Sequence, residues 1–294
     1  DLSPSGQNPS TGRPYAPNRT SHADYGRAIA EYWADGPDSE TPPGHWNTIA
    51  NDVSDDLAAS GDLRIAGQGD PVDRLEWDAK LALALNGATH DAAIAAWGAK
   101  KHYDYVRPIT MIRYLGQRAE LPTVAGLIET ITAETSAPGG RHEHLSAFVD
   151  QQAVWAWRGA PEDTELSIGG VGWIAAASWV PYQRPTFVTP SFPAYVSGHS
   201  AFSRAAAVVL EEMTGSAFFP GGIAGHTVDV GELIHEAGPD DAIALQWATY
   251  VDAADEAGRS RLYGGIHVPA DDLAGRQLGA EVGRLAWERA RTLF

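Results

Sequence analysis

Three short segments of this 294-residue chain place cations and hydrogen-bond donors where a small anion could sit. The first holds Lys100 and Arg107, seven residues apart. On one continuous helix that is two turns, so both side chains would leave the same face. A solvated basic face explains the same spacing, and is the reading for the neighbouring Lys101. The second segment is "YVSGHSAF", residues 195–202. Ser197 is a good N-cap, and Gly198 lets a backbone approach a ligand closely. The free N–H groups of a first helical turn favour an oxyanion, although a simple helix cap accounts for the same residues. No G-x-S-x-G elbow surrounds Ser197, which argues against a nucleophilic serine. The third segment is "SRLYGGIHVPAD", residues 260–271. A Gly-Gly bend between Arg261 and His267 allows both side chains to turn into one cavity. Asp271 lies four residues after His267, within reach of its ring. Such a pairing sets the tautomer and raises the basicity of the other nitrogen, as in a metal-ligating or nucleophilic histidine.

Helices must position these groups. "SHADYGRAIAEYWADG", "TPPGHWNTIANDVSDDLAA" and the Ala/Leu-rich stretch from Asp73 to Pro108 all carry apolar residues at helical spacing. The last should end near Arg107, because Pro108 disfavours helix at the residue before it. Residues 122–135 and 143–158 are expected to be further helices, and no convincing strand series is seen. A proline-rich loop should lead into a helix from Gly198 that stops at Gly215. "DDAIALQWATYVDAADEAGRSRLY" and "DDLAGRQLGAEVGRLAWERARTL" should be the last two helices. The expected fold class is all-α, a helical bundle with long connecting loops. Residues 1–22, rich in Ser, Pro and Gly, form an extended lead-in, and 23–294 the helical-bundle catalytic domain.

Composition bounds the partners. A net charge of −17 disfavours nucleic acid and anionic membranes, yet permits a local basic pocket. With 44% hydrophobic residues the chain can bury a sizeable core. The apolar runs are too short to span a bilayer, and a soluble protein is expected. There is no cysteine, so disulfides and thiolate metal sites are ruled out. With 2 Met as well, the chain offers few oxidisable side chains, through drift or through exposure to oxidants. The chain begins with Asp1, so the sequence leaves open an omitted N-terminal segment and a secreted, periplasmic or cytoplasmic location. "RHEH" at 141–144 is read as surface, and "NRT" at 18–20 as a common chance match to a glycosylation acceptor.

Taken together and in order, K-x6-RP, SGH and SR-x5-H-x3-D resemble the signature shared by vanadium-dependent haloperoxidases and type 2 phosphatidic-acid-phosphatase-like acid phosphatases. The resemblance implies an all-α fold and an oxyanion cage. Lys100, Arg107, Ser197, Gly198 through its N–H, and Arg261 would hold the oxygens of vanadate or phosphate. His267 would be the vanadium ligand or the phosphatase nucleophile, with Asp271 behind it, and His199 the acid–base group. Vanadate is the implied cofactor, with phosphate able to occupy the same cage.

"TPSFPAYVSGHS" is similar to the haloperoxidase version of its segment, with Phe192 and Trp97 as aromatic walls on the halide side. Core packing accounts equally well for both rings. Asp35 would pair with the Arg261 guanidinium. Val196 stands where proline is common, and Ser200, where many members have alanine, could hydrogen-bond near the halide or to His199. The resemblance covers roughly residues 24–281, and family haloperoxidases are usually longer, so the chain could be the C-terminal part of one. The implied reaction is oxidation of chloride or bromide by hydrogen peroxide, giving hypohalous acid or a halogenated small organic substrate. The alternatives are a phosphatase working through phosphohistidine and a non-catalytic oxyanion-binding module. A homo-oligomer is compatible with the sequence.

Overall fold

The computed structural model describes residues 2, 5–34, 36 and 39–294. Its centre is α5 (Gly198–Thr214), a 17-residue helix with 11 buried positions, many of them alanine. Small side chains let neighbours close in on every side. Those neighbours are α3 (Arg74–Tyr103), α6 (Tyr250–Tyr263), α7 (Pro269–Ala290) and, at fewer points, α2 (Pro42–Ser60), with α1 (His22–Tyr32) packed on α6. The termini follow local chemistry: Ser21, Thr41 and Asp73 cap α1, α2 and α3 through their side chains, and left-handed glycines close α2 and α5.

The closest approach in the bundle is between α5 and α7. Gly275, Gly279 and Gly283 recur every four residues along one face of α7. A Cβ built on any of the three would fall within 3.0 Å of the backbone carbonyl oxygen of Ser197, Ala201 or Ala205 respectively. The two helices thus meet backbone to backbone.

Buried indoles are tied to polar partners. Trp46 donates to Ser203 and Trp77 to Ser54, while Trp33 and Trp247 both donate to Glu256. Burial pushes the Glu256 carboxyl up, opposed by these donors and by Tyr25.

The mainly helical expectation holds, with local corrections. Residues 122–135 and 143–158 are not helices. They hold β1 (Ile128–Thr130), a 3-10 turn at Glu143–Phe148 and β2 (Gln152–Trp157). With β3 (Val171–Ala175) these form a three-stranded antiparallel sheet in the order β1-β2-β3, Val154 lying opposite both Ile128 and Ile174. The reason is local: Thr132 and Thr135 bond their hydroxyls to one another's backbone neighbourhood, which competes with helix, and "QAVWAW" favours a pleated surface. The sheet covers a small second core of Ile131, Leu145, Ala153 and Ala175.

A second sheet pairs β4 (Ala224–Val228) with β5 (Ile243–Trp247), antiparallel. The alternation of buried Ile243, Leu245 and Trp247 has period two, and helix starts only after the Thr249–Asp252 capping box. At Asn18 the lead-in runs beside this sheet, the side-chain amide donating to the Ala244 carbonyl. His142 is fully buried against Trp173, so the surface reading of "RHEH" fails there and holds for Arg141, Glu143 and His144. No helix among the described residues is long and apolar enough to cross a membrane.

Candidate oxyanion site

Lys100 and Arg107 meet, but not through helical spacing. Helix α3 stops at Tyr103, where Asp104 turns left-handed at φ 43°. Arg107 then occupies the N-cap position of a separate helix, α4 (Pro108–Gln117), with Pro108 at its first turn. The two cations converge on one loop. Lys100 Nζ donates to the carbonyls of Pro193 at 2.9 Å and Ala194 at 2.8 Å. Arg107 donates from Nε to Phe192 O at 2.9 Å and from a terminal nitrogen to Pro193 O at 3.3 Å. Its other terminal nitrogen reaches Ile266 O at 2.9 Å and His267 Nε2 at 3.2 Å.

His267 is oriented from behind. Its Nδ1–H donates to Asp271 Oδ2 at 2.9 Å, and that oxygen also accepts the Val268 N–H. The proton is thereby fixed on Nδ1, leaving the Nε2 lone pair facing Arg107. Burial pushes His267 down to about 4, against the raising effect of Asp271, so the ring is neutral at ordinary pH.

The third group sits at the start of α5. Ser197 caps the helix and is fully buried, its side chain accepting from Ser200 N and its own N–H donating to the Asp271 carbonyl. His199 Nε2–H donates to Trp33 O at 2.8 Å, and Arg261 donates to the same carbonyl at 3.1 Å. Burial, then the charge of Arg261, holds His199 well below its usual range, so Nδ1 carries the lone pair.

The aromatic wall is present as well. Trp97 and Phe192 have ring centroids 5.0 Å apart, and Lys100 Nζ lies 5.6 and 5.3 Å from them. A Cβ on Gly198 would sit 3.2 Å from the Trp97 ring, so glycine is what lets the indole cover the helix start. Both rings remain partly exposed, on the rim and not in the core.

One expected role changes. Ser200 Oγ donates to Asp272 Oδ1 at 2.7 Å, an acid also held by Arg276; it touches neither His199 nor the aromatic wall. Asp35, expected beside Arg261, lies outside the described residues. The anchors that sequence reasoning missed are backbone carbonyls, those of Trp33, Phe192, Pro193, Ala194 and Ile266. A carbonyl has no residue type, so no sequence pattern announces it.

The charge balance of the site is unusual. Lys100 and Arg107 are buried, and among the described residues no carboxylate lies within ion-pair distance of either. Buried cations normally have a charged partner. Burial and the nearby Arg107 push Lys100 down to about 7, and burial lowers Arg107 to about 10. Each retains a donor hydrogen: Lys100 uses two of three, and Arg107 four of five.

The helical bundle here gathers buried cations around an oriented histidine, an arrangement suited to a small oxyanion. The chain belongs to the family described as VCPO second helical-bundle domain, whose model matches residues 80–294, and it is of the vanadium haloperoxidase type. Among solved structures it resembles the holo form of a bacterial vanadium-dependent chloroperoxidase, with 18% identity and a TM-score of 0.61 over 92% of this chain and 44% of that one. The apo form of a bacterial vanadium-dependent chloroperoxidase gives 20% identity and a TM-score of 0.62 over 92% and 45%. A bacterial vanadium-dependent iodoperoxidase is 23% identical over 90% and 43%, with a TM-score of 0.49. The chain thus spans less than half the length of these proteins. No curated protein sequence matches it significantly.

The lowered Lys100 gives a pH signature. In the free protein its ammonium is intact below about 7 and is lost as pH rises through that value. Oxyanion affinity should therefore be flat on the acid side and fall above about pH 7, by up to roughly tenfold per unit. His267, down at about 4, and His199, held well below its usual range, stay neutral across that range and add no slope. Calorimetric titration from pH 6 to 9 with sulfate, a tetrahedral dianion whose own charge does not change over that range, checks this. Lys100→Met should bind more weakly, with the slope flattened; an unchanged slope in that variant would assign the titration elsewhere.

Proposed function

We propose that the chain is a vanadate-dependent haloperoxidase, oxidising chloride or bromide with hydrogen peroxide. The observation that carries the proposal is the pair of buried cations, Lys100 and Arg107, whose acceptors are backbone carbonyls and a neutral histidine. A multiply charged tetrahedral anion supplies the missing charge and accepts the donors left over. Vanadate and phosphate both fit that description. The His267 Nε2 lone pair, oriented by Asp271, is the atom that would bind vanadium.

Vanadate held there supplies a Lewis acid that activates peroxide without changing oxidation state. Around it, Arg107 and Arg261 neutralise charge on the anion. The third Lys100 hydrogen would donate to an oxygen of the bound anion and withdraw charge from it. His199, neutral in the free protein and with its Nε2–H committed to the Trp33 carbonyl, would accept a proton at Nδ1. Trp97 and Phe192 flank Lys100 on the exposed rim, where an incoming halide would pass.

The His267–Asp271 pair also supports a second reading, an acid phosphatase with Nε2 as nucleophile and His199 protonating the leaving group. One experiment separates the two. Purified protein is assayed with and without orthovanadate, using peroxide plus bromide or chloride, and separately with a chromogenic phosphate ester. Halogenation that requires vanadate is expected. Ester hydrolysis inhibited by vanadate would establish the phosphatase instead, and neither activity would leave a non-catalytic oxyanion binder.

A further inference from the structure

Glu256 lies in the middle of α6, 4% exposed, and its three hydrogen-bond donors are neutral aromatic side chains. One oxygen, Oε1, accepts from the indoles of both Trp33 at 3.2 Å and Trp247 at 3.0 Å. The other, Oε2, accepts from the Tyr25 hydroxyl at 2.9 Å. Elsewhere in the core a serine hydroxyl satisfies each indole, Ser203 for Trp46 and Ser54 for Trp77. Here an acid, which is far costlier to bury than a hydroxyl, fastens two indoles to a single atom.

One of those indoles leads to the cage. Trp33 closes α1, and its ring stacks on Trp46 at 6.3 Å and 26°. Its carbonyl, at the other end of the residue, accepts from His199 Nε2 at 2.8 Å and from Arg261 at 3.1 Å. Glu256 and Arg261 both belong to α6, five residues apart. That separation is about 7.5 Å of helix rise. A single helix thus grips Trp33 twice, the acid at the indole N–H and the guanidinium at the carbonyl. His199 reaches the same carbonyl from α5. Packing alone leaves a ring free to shift within its slot, whereas an N–H fixed on a carboxyl oxygen sets its direction.

We propose that Glu256 is a positioning residue for the oxyanion cage: through the Trp33 indole it fixes the backbone carbonyl that orients His199 and Arg261. This role rests on the cage being the oxyanion site. None of the three partners of Glu256 is a cage side chain, so the effect passes through the Trp33 main chain. The clamp uses hydrogen bonds and not charge. A glutamine can accept both indoles at Oε1 and donate from Nε2 to the Tyr25 oxygen. Tyr25 lines an open groove beside the lead-in, so its own hydroxyl hydrogen can turn to water. A leucine of similar size can hold none of the three.

The test reads the His199 tautomer by heteronuclear NMR of isotope-labelled histidine, the signal being assigned by its loss in His199→Asn. Oxyanion affinity is read by calorimetric titration with sulfate at about pH 6, where the Lys100 ammonium is intact. The parent and Glu256→Gln should both carry the His199 proton on Nε2 and bind sulfate alike. Glu256→Leu should lose that preference and bind sulfate at least about tenfold more weakly, within the roughly 100-fold that a displacement of about 1 Å costs at a catalytic site. Trp33→Phe removes the indole N–H and keeps the carbonyl; it should follow Glu256→Leu, and it carries the test if the leucine variant does not fold. Trp77→Phe, which loses the indole bond to Ser54, is the control for lost stability and should match the parent. The proposal is overturned if folded Glu256→Leu or Trp33→Phe keeps the parent's tautomer or the parent's affinity. It is overturned as well if Glu256→Gln is as weak as Glu256→Leu, or if Trp77→Phe gives the same losses. The ring signal needs no bound anion, so a parent that took up no sulfate would count against the cage, while the tautomer still decides the clamp.

Discussion

His267→Ala should abolish vanadate retention and, with it, vanadate-dependent halide oxidation. The change removes the Nε2 lone pair that faces Arg107 and leaves the Asp271 carboxylate buried without the ring N–H it accepts. Changes one shell out from a metal typically cost about 10–100-fold in affinity, and loss of the ligand atom should exceed that. Because burial holds His267 down at about 4, the lone pair is available throughout the working pH range, and the loss should be independent of pH above roughly 5. Equilibrium dialysis with orthovanadate measures retention directly. Phosphate should still bind His267→Ala, more weakly, through Lys100, Arg107 and Arg261. A variant that retains vanadate as tightly as the parent would remove His267 from the ligand set.

Gly279→Val should be strongly damaging although it lies outside the cage. Its side chain would have to occupy space already filled by the Ala201 backbone carbonyl, and a helix backbone cannot step aside as a side chain can. Overpacking of this kind costs roughly 3 kcal/mol when neighbours cannot relax. At about 2 °C per kcal/mol for a chain of this size, the melting temperature should drop by about 6 °C. Function should suffer beyond stability, because α5 begins at the Ser197 cap and α7 follows directly on His267. Oxyanion affinity measured well below the melting temperature should therefore fall too. Gly87→Val, on an open stretch of α3, is the control, and should leave affinity intact. Equal effects of the two would refute a spacing role for the α5–α7 contact.

The helices around the site were legible because periodicity, caps and glycine stops agree with one another. Ser21, Gly215 and the Gly264–Gly265 break lie at the boundaries where the sequence places them. Residues 122–158 were not, since short apolar runs rich in tryptophan and threonine fit either element, and long-range pairing decides. The convergence of Lys100 with Arg107 illustrates a subtler limit. Their spacing fits two turns of helix, yet a left-handed Asp104 and the start of a new helix at Pro108 separate them. What unites them is the peptide backbone of residues 192–194, beyond the reach of any spacing rule.

That mooring on backbone bears on how such a site survives sequence drift. A peptide oxygen is the same oxygen whichever side chain its residue carries. Ala194 or Ile266 can be exchanged for another residue of similar size without disturbing the grip on Lys100 or Arg107. Deleting one residue between Phe192 and Ala194 would rotate every acceptor out of place. The letters of this loop could thus be rewritten with the grip intact, whereas its length could not change.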